Sequence, residues 1–136
     1  MESLDFLLDG LASFVLYFGF SLTALLLFKV IYTKVTPYDE WALVKDKNGA
    51  AACALAGAVI GFSIALGSAA VSSISVLDFI VWAVIALIAQ LIAYRVVHLF
   101  LPLISQRIQN NEWPAGVVLG GTSVAIGILN AASLSY

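Results

Sequence analysis

The sequence predicts an all-α integral membrane protein with four transmembrane helices. These are arranged as two parallel two-helix repeats, with both termini outside. Three observations carry this reading. The 136-residue chain is 62% hydrophobic and 10% charged, with a mean hydropathy of +1.06, whereas soluble domains are about 45–50% apolar and about 25% charged. Its charge-free runs are long enough to cross a bilayer, and its basic residues all fall on one side of the predicted spans. A soluble fold this small has too much surface to hide so much apolar material. The net charge of −2 excludes a nucleic-acid binder of the basic-patch kind. Residues 1–136 therefore read as a single membrane domain.

The first span is predicted at 8–33, around the charge-free run 10–28. At about 1.5 Å per residue, those residues cover about one hydrocarbon core. The chain opens with Glu2 and Asp5 rather than a basic n-region, so this run is read as a retained span and not a secretory signal. The second span is predicted at 49–72, inside the charge-free run 49–77, which also holds a short turn at Ser72-Ser-Ile-Ser75. The third follows at 77–100 and passes Arg95 near its end. The fourth, at 115–135, closes the chain without a charge.

All six basic residues (Lys29, Lys34, Lys45, Lys47, Arg95 and Arg107) lie on or beside the links between spans one and two and spans three and four. The other side holds Glu2, Asp5, Asp9 and Asp78 and no base. The positive-inside rule then places both links in the cytoplasm. Boundary aromatics agree, with Phe79, Trp82 and Tyr136 at one interface and Tyr32, Trp41, Tyr94 and Trp113 at the other.

The two halves read as a duplication, 8–73 and 77–135. Ala65-Leu-Gly-Ser-Ala-Ala70 resembles Ile128-Leu-Asn-Ala-Ala-Ser133 at an offset of 63, which also pairs Asn48 with Asn111 and Gly57 with Gly120. Each link opens with a proline, Pro37 or Pro102, suited to a first helical turn. Each is therefore expected to form a short interfacial helix. In the first, Thr36-Pro-Tyr-Asp39 reads as a capping-box variant that puts Tyr38, Trp41 and Ala42 on one face. Gly, Ala and Ser make up 15 of 22 residues over 49–70 and 11 of 22 over 115–136, but 4 of 22 over 79–100. Each unit thus pairs a bulky lipid-facing helix with a small-residue helix. Two spans per unit make the repeats parallel rather than inverted, which argues against a rocking transporter.

The small-residue spans contain Gly57-x-x-x-Gly61, Gly116-x-x-x-Gly120 and Gly127-x-x-x-Ala131. They are read as packing or oligomer contacts, because helices in lipid gain from close backbone approach. Asn130 and Gln90 are amides within spans. They form either interhelical hydrogen bonds or, with Ser68, Ser123 and Thr122, a polar lining for an ion or small solute. Arg95 either snorkels beside His98 or pairs with Glu40 or Glu112. Cys53 reads as an inert buried thiol. One His allows no Ser/His/Asp set, and the sequence has no Walker loop, HExxH or CxxC. The expectation is no catalytic activity, no metal and no cofactor.

Thr36-Pro-Tyr-Asp-Glu-Trp-Ala-Leu-Val44, followed by Asn48-Gly-Ala-Ala-Ala52, resembles the YjfL family of small bacterial inner-membrane proteins of unknown function. The likeness continues through Gly57 to Gly61, Ser68-Ala-Ala70 and Gly127-Ile-Leu-Asn-Ala-Ala132. The resemblance implies four spans in two two-helix units and a bacterial inner-membrane location. It also implies gene neighbourhoods with membrane-stress proteins, which makes such cytoplasmic proteins candidate partners. Its typical positions here are Pro37, Glu40, Asn48, Gly57, Gly61, Asn130 and Ala131, with Trp41 beside them in the link. Two functions follow as expectations. One is a homo-oligomeric scaffold or anchor in envelope maintenance, assembled through spans two and four. The other is an oligomeric channel or carrier for ions or small cationic solutes. The lipid bilayer is the common partner, and nucleic acid is not one.

Overall fold

The computed structural model describes residues 2–134. Among the described residues the regular structure is helical, with no strand: α1 (Glu2–Val35), α2 (Glu40–Lys45), α3 (Gly49–Ser72), α4 (Val76–Phe100), α5 (Ile104–Gln109) and α6 (Trp113–Ser133). α1, α3, α4 and α6 are long and apolar enough to cross a membrane. They match the four expected spans, with two differences at the ends. α1 begins earlier, where Glu2 and Asp5 suit the positive end of a helix. α6 begins at Trp113, because Pro114 fits a first turn that has no need of its N–H. Residues 135 and 136, which hold the end of the fourth predicted span and the boundary aromatic Tyr136, lie outside the described residues.

Both links form short helices, but their prolines stand ahead of them rather than in the first turn. Pro37 disfavours helical geometry at the residue before it, and α1 stops at Val35. Asp39, in an extended conformation, then caps α2 by accepting from the Ala42 N–H at 3.2 Å. Asn48 caps α3 in the same way, accepting from the Ala51 N–H at 2.9 Å. At the other end of the bundle, Ser75 Oγ accepts from the Asp78 N–H at 3.1 Å, while the Asp78 carboxylate accepts from the Ile74 N–H at 3.1 Å. Lys47 (φ 65°) and Asn111 (φ 58°) take left-handed geometry where the chain leaves each short helix.

The centre of the fold is the pair α3 and α6. Gly116 lies against Ala50, Gly57 against Gly120, and Gly127 against Gly61. Because the contacts advance together along both helices, the two run parallel. α4 packs across them both. α1 is held more loosely, and Phe28 and Tyr32 are its buried residues. Phe28 stacks on Phe62 with ring centroids 4.4 Å apart, and Tyr17 meets Phe79 edge-on at 5.6 Å. Between these two attachments an apolar crevice of about 390 Å³ separates α1 from α3 and α4.

Candidate functional site

The buried polar groups gather where α1 turns into α2. The break at Pro37 folds the chain back, so that Tyr38 and Glu40 face the bundle instead of water. The Thr36 hydroxyl braces the turn, donating toward the Tyr32 and Tyr38 carbonyls at 3.2 Å each. Glu40 is 0% exposed, and neither carboxylate oxygen has a hydrogen-bond partner among the described residues. The Tyr32 and Tyr38 hydroxyls are likewise buried and unpartnered. Tyr94 closes the cluster from α4, its ring 6.3 Å from that of Tyr32 and its hydroxyl 2.9 Å from Ser105 Oγ.

Among the described residues no positive charge pairs with this carboxylate. None of the six basic side chains is buried. Lys29 lies over the exposed face of Trp41, 4.1 Å from its ring centre, with Lys45 at 5.8 Å. Arg107 pairs with Glu112 at 3.2 Å, and Arg95 is exposed. Removing an unpaired carboxylate from water strongly disfavours its ionised form. Burial accordingly pushes the Glu40 carboxyl up to about 7, with the Thr36 hydroxyl pulling the other way and Asp39 adding to the rise. The Tyr38 hydroxyl is raised above its ordinary range, first by burial, then by the negative charge of Glu40 and the nearby Tyr32 and Tyr94.

From this cluster, unpartnered oxygens continue into the bundle. Ser123 Oγ lies within electrostatic reach of the Tyr32 hydroxyl, though no hydrogen bond joins them. Ser123 is the middle residue of α6, about 15 Å from its start. Gln90 of α4 meets it there, with Nε2 donating to the Ser123 carbonyl at 3.0 Å. Gly61 of α3 leaves room for that bond: a Cβ at this position would strike the Ser123 carbonyl and lie 2.8 Å from Gln90 Nε2. Gln90 Oε1 and Ser123 Oγ remain unpartnered at the centre of the bundle. In native structures, buried polar atoms find protein or water partners in the great majority of cases. The six oxygens, spread from the link to the middle of the bundle, are therefore groups that water or another polar partner would satisfy.

The other residues singled out from sequence are dispersed. Thr122 bonds the Val118 carbonyl of its own helix at 2.8 Å. Ser68 instead reaches across, donating to the Ala131 carbonyl at 3.2 Å, and Asn130 is half-buried nearby on α6. Asn48 joins the two links, donating from Nδ2 to the Ile108 carbonyl at 2.8 Å. Tyr38 and Trp41, expected on one face of the first link, point opposite ways: Tyr38 is buried beside Glu40 and Trp41 is 44% exposed. The backbone reversal after Pro37 separates them. Sequence reasoning took Tyr32 and Tyr94 for interface aromatics and missed the cluster. One signal was available. The positions three and four residues from Glu40 are Thr36, Pro37, Leu43 and Val44, so no base on its own helix could pair with it.

Four apolar spans, with a buried carboxylate and a cluster of tyrosines packed at the link end of their bundle, define a multi-pass membrane protein. The family profile described as Domain of Unknown Function (DUF350) matches residues 6–134, and the chain belongs to that family. It is 38% identical over 130 residues to the UPF0719 inner membrane protein YjfL of Escherichia coli strain K12, covering 96% of this chain and 98% of that protein. It is equally similar to the protein of the same name from Escherichia coli O157:H7. No solved structure matches the chain. The chain is thus an inner-membrane protein, as its four apolar helices and these relatives agree.

Proposed function

We propose that this protein is a non-catalytic carrier or channel for small cations, with Glu40 as the group that selects positive charge. The observation that carries the reading is the fully buried Glu40 carboxylate with no basic partner. An acid held out of water without a counter-ion is expensive to keep, and at the link end of a membrane bundle it is placed to attract cations. In this reading the links face the cytoplasm, the two hairpins are copies of one unit, and cations enter from the link side. The test is cation flux into vesicles carrying the purified chain. Wild type is expected to conduct and Glu40→Gln is not. Equal flux in the two proteins removes Glu40 from the pathway.

A second reading rests on α1. Its apolar residues from Leu4 to Val15 are largely exposed, and four helices alone enclose little space. This face would pack against further copies, giving a homo-oligomer that also serves as a scaffold or anchor for cytoplasmic membrane-stress proteins. Native mass measurement in mild detergent should find more than one copy. A strict monomer that recovers no partner in pull-downs would rule the scaffold out.

A further inference from the structure

We propose that the cation is the proton, taken up by Glu40 from the link side and relayed through Tyr32 to the Ser123–Gln90 pair at the membrane centre. This rests on the cation-carrier reading above and names its substrate. Three features of these buried groups favour a proton over a metal cation.

The first is the kind of oxygen present. Apart from the single carboxylate, the groups are the hydroxyls of Tyr32, Tyr38 and Ser123 and the amide oxygen of Gln90. A hydroxyl both accepts and donates, as a group that passes a proton on must, while the Gln90 oxygen, an acceptor only, can hold the water that receives it. A bound metal ion needs acceptors only, and several of them converging on one point.

The second is their distribution. Tyr32 belongs to α1, Tyr38 and Glu40 to the link and α2, Gln90 to α4 and Ser123 to α6. They follow one another from the end of the bundle to its middle instead of surrounding one point. Farther along the α3–α6 pair come Ser68 and the half-buried Asn130.

The third is the set of charges facing Glu40. On its own segment these are Asp39 and Tyr38, on α1 Tyr32, and on α4 Tyr94. α3 contributes only Cys53 as a titratable side chain, α6 contributes none, and the one base of α5 is bound to Glu112. Nothing positive holds Glu40 ionised, so its charge is neutralised by a proton. Burial of the carboxyl brings this exchange into the neutral range.

The step balances with O–H bonds alone. A hydronium ion on the link side gives a proton to a Glu40 oxygen and becomes water. The carboxyl then passes a proton to the Tyr32 oxygen as Tyr32 releases its own to Ser123, directly or through a bridging water. Ser123 in turn hands its proton to water held at Gln90 Oε1. Each station breaks one O–H bond as it forms another, so Glu40 returns to carboxylate and no oxidant or other co-reactant is needed.

The experiment uses the full chain in vesicles with an internal pH-sensitive dye and a potassium diffusion potential, alongside parallel assays of rubidium and sodium uptake. Wild type is expected to acidify the lumen. Glu40→Gln and Tyr32→Phe should both fall to the leak of protein-free vesicles while keeping the wild-type unfolding midpoint or a higher one. Rubidium or sodium uptake without proton uptake overturns the proton assignment and leaves the cation reading standing. No flux of any cation from wild type overturns the cation reading itself. Infrared spectroscopy tests the loading step without any flux. A protonated-carboxyl stretch should be present in wild type at about pH 6, where ordinary carboxylates are almost fully ionised, vanish by about pH 9, and fall to background in Glu40→Gln. A wild-type spectrum without that band overturns the proposal.

Discussion

Gly57 and Gly120 meet backbone to backbone at the crossing of α3 and α6. A Cβ on Gly57 would fall onto the Cα, carbonyl carbon and carbonyl oxygen of Gly120. Backbone cannot move aside as a side chain does, so the contact admits hydrogen alone. Gly67, ten residues farther along α3, has nothing within 4 Å of its own Cβ position.

The two glycines should therefore respond differently to the same methyl group. Gly57→Ala should lower stability by about 1–3 kcal/mol or more, the range for overpacking a fitted contact. Gly67→Ala should leave it unchanged or slightly raised. Thermal unfolding in detergent reads both, and equal midpoints would contradict the close α3–α6 approach.

Asn48 serves two helices at once, capping α3 through Ala51 and donating to the Ile108 carbonyl of α5. Replacing it with Ala should lose about 1–2 kcal/mol from the cap. Hydrogen exchange should speed at the Ala51 amide. Asn48→Ser restores the cap but not the bond to α5, so it should recover only part of the loss.

Glu40 makes stability depend on pH, with a definite sign. Its carboxyl titrates at about 7 in the fold against an ordinary value of 4.5. Between these values the unfolded chain has released a proton that the fold still holds. Stability therefore falls as pH rises through this window and levels off above about 7. The accumulated loss is on the order of 3 kcal/mol. Unfolding midpoints compared across pH should drop more for wild type than for Glu40→Gln, whose contribution is flat. Parallel curves would place Glu40 in water.

Orientation is testable at Lys47, exposed between α2 and α3. In a Cys53→Ala background, Lys47→Cys should react with a membrane-impermeant maleimide in inverted inner-membrane vesicles but not in intact spheroplasts. Labelling in spheroplasts would put the links outside and reverse the proton entry side proposed above.

The four helices were legible in the sequence because hydropathy sums along a single segment. The runs around 10–28, 49–77, 79–94 and 115–136 needed no knowledge of their neighbours. The glycine spacing of α3 and α6 was equally visible. The candidate site was legible only in fragments. Gln90, Ser123 and Glu40 were each noted, but as separate features of different helices. The tyrosines passed for interface aromatics, since a Tyr at a span end looks the same whether it faces headgroups or a buried acid.

The sequence by itself determined which segments enter the membrane, which ends of them carry the positive charge, and which helices are smooth enough to pack closely. These are local properties, set by transfer energies residue by residue. The tertiary structure alone decided that Glu40 is inside. That depends on where the chain turns after Pro37 and on α1 and α4 bringing Tyr32 and Tyr94 to the same place. Burial of a charged group is a property of everything packed around it, and those groups come from separate stretches of the chain.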